Sequence, residues 1–512
     1  MKSRLPALLL ITCLLAACAP SGSLWGVAAS PTPDKVYALP TVAVMPTPVP
    51  PAATPTPTET PLPTITPTLT PIPETVPPII YYSQGGDFLA AVAAHFGVQV
   101  GDIRSDIPLP ETGLLEPNTL LVIPDVLETV GPGDKTIPDS EVANSPSAIG
   151  FDPLSYVSEA GGYLDQYKEY LTSTGWSSGA QSVQRTAIEN SVNPRMLLAL
   201  IEYESHWVLG QPTNLAESDY PLGNNNYYYK GLFRQMMWAV QQLSQGYYGW
   251  RNGHLTELTL ADGTLVRMNP MLNAGTAALQ YYFAQTRGLD EWQQALDPRV
   301  GFPALYADMF GDPWGRAVGV EPIFPTALTQ PPLAFPFRPG PAWSLTGGPH
   351  AAWADKGALA ALDFAPPSDK RGCMVSPHPV TASASGLVVR SERGVVMLDL
   401  DGDGYEQTGW NILYLHIHSE GRVPAGTWVN LNDPIGFPSC EGGVSTGTHV
   451  HMARKYNGEW VLADGPIPFN LNGWIAHNGS APYLGSLTRD GLTITASKVG
   501  DSVSHVFRRE GE

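Results

Sequence analysis

Charge is scarce in this chain. Only 15% of its 512 residues are charged, against about 25% in an average globular protein, and 28 Lys and Arg face 47 Asp and Glu. The net charge of −19 therefore reflects missing cations, and with no long Lys/Arg cluster it excludes a nucleic-acid binder, which needs a basic face. Cysteine is equally sparse. The four present, Cys13, Cys18, Cys373 and Cys440, exclude a disulfide-rich scaffold. Long apolar runs are missing as well: the run over 5–17 is 13 residues, short of the roughly 20 that a membrane span needs, and no stretch elsewhere reaches 18. What the chain has in excess is glycine and proline, 51 of each, a load that helices and strands cannot absorb evenly. At about 150 residues per domain the length predicts around three domains, and a 43% hydrophobic content can fill their cores.

The N-terminus reads as an address. Lys2 and Arg4 precede the short apolar run, which marks residues 1–18 as a signal peptide and predicts an extracytoplasmic protein. The run ends Leu15-Ala16-Ala17-Cys18, which resembles the lipobox of bacterial lipoproteins. That resemblance implies lipidation of Cys18 and a membrane attachment through the lipid, facing the cell wall. Residues 19–78 follow as a tether, almost wholly Pro and Thr from Pro46 onward. Such a stretch favours polyproline II and can reach on the order of 100 Å.

Residues 79–125 carry a strand, a helix with Phe88, Leu89, Val92 and Phe96 at helical spacing, and a closing strand at 120–123, a βααβ plan. The order YYSQGGDFLAAVAAHFGV, then LEPNTLLVIP, resembles the LysM module, which implies binding to N-acetylglucosamine-containing glycans such as peptidoglycan. Residues 150–325 predict an α-rich domain, with apolar periodicity over 192–208, 231–245 and 272–286. Within it, NPRMLLALIEYESHW resembles the helix of lysozyme-like lytic transglycosylases, which implies an acid/base role for Glu204, followed by Ser205. A single carboxylate can serve such an enzyme, because the sugar's own hydroxyl displaces the leaving group. A helix-surface carboxylate or salt-bridge partner is the alternative for Glu204.

Six of the 11 histidines fall between His350 and His451. In Thr448-His449-Val450-His451 the two rings share one strand face, because i and i+2 point the same way. A strand over 411–418 repeats the spacing with His416 and His418. The series GGPH, ALDFAP, YLHIH, VPAGTWV, DPIGFPS and STGTHVHMA resembles the lysostaphin-type (LytM-like) zinc metalloendopeptidases over about residues 340–465. It implies a mainly antiparallel β domain of the duplicated hybrid motif type, here 340–485 with a C-terminal extension at 486–512. It also implies Zn²⁺ held by His350, Asp363 and His451, with His416 and His449 as non-ligand catalytic histidines. Asp355 competes with Asp363 for the second position; the strand-like LDFAP context favours Asp363 over the polar WADKG turn. His418 can stand in for His416.

Cys373 and Cys440 lie in this domain and in an oxidising compartment, which predicts a disulfide between them. Asp399, Asp401 and Asp403, with the Tyr405 carbonyl, match the first half of a Ca²⁺ loop, D-x-D-x-D-G, but Trp410 stands where the bidentate acid belongs. A polar hairpin turn is the competing reading. Together these resemblances imply a multidomain peptidoglycan hydrolase that cuts stem or cross-bridge peptides, with no partner protein. The alternatives are a non-catalytic wall-binding regulator of other hydrolases and a lytic transglycosylase using Glu204.

Overall fold

The computed structural model describes residues 76–368 and 372–511; the signal segment, Cys18 and residues 19–75 of the tether lie outside them. No helix of the described residues is long and apolar enough to cross a membrane.

The first folded segment pairs the strand Ile79–Tyr82 with Leu120–Ile123, antiparallel, Ile79 opposite Ile123. Between them stands the helix Leu89–Phe96, which Gly97 ends in the left-handed conformation at φ 69°. The second helix of the expected βααβ plan is a single 3₁₀ turn, Val100–Asp102. Tyr81, Val92, Phe96, Leu121 and Ile123 close a small core.

The helical segment is built as its periodicity predicts, with shifted ends. Its helices include Gly179–Asn190, Pro194–Ser205, Leu232–Arg251 and Ala274–Ala284. Pro194–Ser205 starts where Asn193 accepts a hydrogen bond from the Arg195 N–H and Pro194 fills the first turn. It stops at His206, in the left-handed region at φ 56°. Two short hairpins, Lys168–Leu171 with Gly175–Ser178 and Glu257–Thr259 with Leu265–Arg267, interrupt the helices; neither is evident from periodicity.

The C-terminal half is a nine-stranded sheet. Its strands run Trp428–Val429, Gly386–Glu392, Val395–Asp399, Trp410–Leu415, Val450–Tyr456, Leu359–Ala365, Trp343–Ala351 and His505–Val506 in space, with Glu459–Trp460 pairing off Val450–Tyr456. Strand alternation divides the side chains between two cores. Leu362, Phe364, Leu398, Ile412, Tyr414 and Met452 fill one, while Met397, Leu413 and Ala453 join the core of the helical segment. Residues after 465 extend this half: a four-stranded sheet spans Asn470–Leu471 to Leu492–Thr495, and His505–Val506 returns to pair with Trp343 and Ser344. The boundary expected at 485/486 thus falls inside a sheet.

The three folded segments pack as one compact unit rather than as separate modules. Arg251, buried at the end of its helix, binds all three. It ion-pairs with Glu459 at 3.0 Å and Asp139 at 2.9 Å, and donates to the Gly85 carbonyl. Nearby, His95 stacks on Trp250 with ring centroids 3.7 Å apart.

Candidate metal centre

The ligand atoms come from three adjacent antiparallel strands. His451 stands directly opposite Asp363, and Gly347 faces Asp363 from the other side. His350 lies one turn of irregular register further along the same strand as Gly347. His350 Nε2 is 3.0 Å from His451 Nδ1 and 3.3 Å from Asp363 Oδ1, and His451 Nδ1 is 3.2 Å from the same oxygen. All three residues are buried.

Asp363 Oδ1 has no hydrogen-bond partner among the described residues, although it is buried among nitrogen ligand atoms. Burial works to raise Asp363, but the imidazoles of His350 and His449 hold it well below the usual carboxylate range. The three N and O atoms lie 3.0–3.3 Å apart, close to the roughly 3.3 Å edge of a tetrahedron whose ligands lie at about 2.0–2.1 Å, so the donor set fits zinc. The other nitrogen of each imidazole is already spoken for. His350 Nδ1 meets the Gly348 carbonyl at 2.8 Å and His451 Nε2 meets the Ala352 carbonyl at 3.0 Å. Such partners fix ring orientation and leave the facing nitrogen free to ligate. Gly347 is part of the cradle: a Cβ there would stand 2.5 Å from Asp363 Oδ2. Asp355 is exposed in the loop before Leu359–Ala365 and is not among the ligand atoms that gather with His350 and His451.

His416 and His449 lie beside the triad with ring centroids 4.5 Å apart. His449 Nδ1 meets the Gly447 carbonyl at 2.8 Å, and its Nε2 is 3.6 Å from Asp363 Oδ1. His416 Nδ1 meets the Glu441 carbonyl at 2.8 Å. Burial, reinforced by the neighbouring His449 and His451, pushes His416 down to about 3 and favours its neutral ring. The strand expected over 411–418 ends at Leu415. His416 takes a left-handed turn at φ 70°, which breaks the alternation that would have placed His416 and His418 on one face. His418 instead binds Glu441, Nδ1 to Oε1 at 2.5 Å, and does not stand in for His416.

Tyr483, near the end of the 340–485 segment, stacks on His350 at 4.1 Å between ring centroids. Backbone bonds between Gly348 and Tyr483 and between Tyr483 and Pro349 hold it there. A lone Tyr so far along the chain gives no spacing signal. Cys373 and Cys440 are bonded, across a sequence separation of 67. The bond anchors the segment whose Met374 N–H donates to Thr448, next to His449.

Glu204 is elsewhere, in a cleft of about 430 Å³ also lined by Tyr203, Gly223, Asn225, Arg287 and Gln294. Both its oxygens accept from Arg287, at 3.0 and 2.8 Å. The salt-bridge alternative is the geometry observed. Ligand atoms of Asp399, Asp401 and Asp403 gather within 4.8 Å of one another, apart from the histidines.

Fold and ligand set together describe a β-sheet metal centre with a helical segment packed on it, and sequence comparison agrees with that class. Residues 135–323 match the family model of the LasA N-terminal domain, over most of the segment where a lysozyme-like domain was expected. Over 299 residues the chain is 25% identical to Protease LasA of Pseudomonas aeruginosa, covering 55% of this chain and 68% of that protein. Among solved structures, the M23 metalloprotease pseudoalterin from the deep sea is 20% identical, covering 36% of this chain and 100% of its own, with a TM-score of 0.29. The catalytic domain of the antimicrobial peptidase lysostaphin from Staphylococcus simulans is 23% identical, covering 25% of this chain and 89% of its own, with a TM-score of 0.17. The chain is thus similar to Protease LasA, in its helical segment through that protein's N-terminal domain.

Proposed function

We propose that this chain is a zinc-dependent endopeptidase of peptidoglycan, cutting stem or cross-bridge peptides while a lipid on Cys18 and the 79–125 module hold it at the wall. The observation that carries the reading is the triad itself: His350, Asp363 and His451 converge with an unbonded, buried Asp363 oxygen at their centre. Similarity to Protease LasA supports the peptidase class.

His350, Asp363 and His451 would hold the ion. Zinc bound there supplies a water of pKa about 7 and polarises a carbonyl. The protein's own work falls to His416 and His449, whose Nδ1 atoms are turned to backbone carbonyls, leaving each Nε2 to accept a proton from water or to return one to a leaving amine. The rigid sheet holds these groups without reorganisation, which is where such sites gain most of their rate. A non-catalytic regulator has no use for an intact ligand set. For Glu204 to act as an acid on glycan it would first have to release Arg287.

The test is muropeptide release from purified peptidoglycan by the full chain and by His451→Ala, with zinc content and folding followed in parallel. Loss of release with the fold retained supports the proposal; unchanged release overturns it.

A further inference from the structure

The loop between strands Val395–Asp399 and Trp410–Leu415 takes no part in the histidine cluster. Asp399 is fully buried, Oδ1 accepting from the Asp401 and Gly402 N–H groups at 3.2 and 3.1 Å and Oδ2 from Gly404 at 2.9 Å. The Thr408 hydroxyl donates to Asp403 Oδ2 at 2.6 Å. These bonds would suit an ordinary hairpin turn. Asn411 would not.

Asn411 is 0% exposed; its Nδ2 donates to the Thr408 carbonyl at 2.7 Å, but its Oδ1 has no hydrogen-bond partner among the described residues. Leaving a buried carbonyl unmatched costs about 1–3 kcal/mol, and native folds seldom tolerate it without a use. Asn411 stands directly opposite Asp399 in the antiparallel register. Residues so paired share a face, with Cβ atoms about 5 Å apart. On its other side Asn411 faces Lys455, so its amide sits between the buried Asp399 carboxylate and that lysine, tied to the acidic loop through the Thr408 carbonyl.

We propose that the carboxylates of Asp399, Asp401 and Asp403, the Tyr405 carbonyl and Asn411 Oδ1 form a Ca²⁺ site. Asn411 completes what the sequence pattern lacks: Trp410 occupies the position of the terminal acid, and the next residue, on the returning strand, presents an oxygen instead. Five protein oxygens leave room for waters to complete the six to eight that calcium takes, with none of the octahedral regularity magnesium demands. A neutral amide in place of a bidentate Glu places the affinity toward the weak end, on the order of 10⁻⁵ to 10⁻³ M.

The ion would brace more than its loop. Glu406, a few residues on, pairs with Arg390 at 2.5 Å and with the buried Lys455 at 2.9 Å. Calcium would thus lock the hairpin that carries this buried cluster.

The test is calorimetric titration of the zinc-loaded full chain with CaCl₂. One calcium per chain is expected, with magnesium at least tenfold weaker. Asp401→Asn/Asp403→Asn, at two exposed positions, abolishes binding; Asn411→Leu weakens it about tenfold and Asn411→Asp tightens it. His451→Ala binds calcium as the parent does, so failure of the zinc reading leaves this result intact. Absence of saturable calcium binding, or binding that survives the double variant or is unmoved by Asn411→Leu, overturns the proposal. Thermal melts of each variant, without calcium, separate lost binding from lost folding.

Discussion

Asp363 and His451 face each other across adjacent antiparallel strands, with Oδ1 3.2 Å from Nδ1. Because register fixes the pair, removing the charge should remove the metal without disturbing the sheet. Asp363→Asn is expected to lower zinc affinity by more than the roughly 10–100-fold that loss of an outer partner costs. Zinc per chain after dialysis, read by mass spectrometry beside far-UV circular dichroism, checks it.

Gly347 guards the same carboxylate. A Cβ placed 2.5 Å from Asp363 Oδ2 must displace it, and nothing else about the residue demands glycine, since its φ is not in the left-handed region. Gly347→Ala should therefore lose zinc and peptide cleavage together while melting within a few degrees of the parent. A variant that keeps full zinc would show the carboxylate to be movable.

Arg251 is the joint between all three folded segments. Arg251→Met leaves Asp139 and Glu459 buried without their cation, a loss on the order of 3–5 kcal/mol. Urea denaturation measures it, and an early transition should appear as the 79–125 segment detaches.

The seat of that segment should also respond to pH. Burial against Trp250 lowers His95 from 6.5 to about 4, so the folded state prefers the neutral ring. The contribution is full above pH 6.5 and is lost as pH falls through that value toward 4, a loss that reaches about 3 kcal/mol by pH 4. Proteolysis near residues 124–135 should accelerate over that window, and His95→Phe should flatten the dependence.

Opening the Cys373–Cys440 bond should cost about 4 kcal/mol by the chain-entropy argument for its loop of 67 residues. Cys373 is exposed and open to reductant. The melting temperature with and without dithiothreitol, compared with a Cys373→Ser/Cys440→Ser variant, reads the effect.

The histidine-x-histidine pair was legible because strand alternation acts locally: His449 and His451 need only each other to share a face. Asp363 was preferred over Asp355 on the same ground, strand against turn. His416 was legible as a residue but not as a conformation, since its φ of 70° is imposed by the turn that takes its carbonyl to the Ser439 N–H. Tyr483 and Asn411 were invisible. Each owes its place to a contact made by distant chain, and neither residue type carries a metal-site signal alone. Arg251 at a helix end reads as a surface cation; only docking of the other segments buries it. Those dockings also hid the unity of the fold, because a proline-rich tether and three resemblances suggested beads on a string.

The face of the sheet that bears Asp363 and His451 also bears Ala361 and Ala453, two residues along, and these are buried in the core of the helical segment. A cut placed near residue 340 to obtain the β half alone would uncover a greasy strip beginning about 7 Å from the metal ligands. Such a fragment should self-associate at the very surface where a peptide must enter, so its inactivity would report occlusion rather than chemistry.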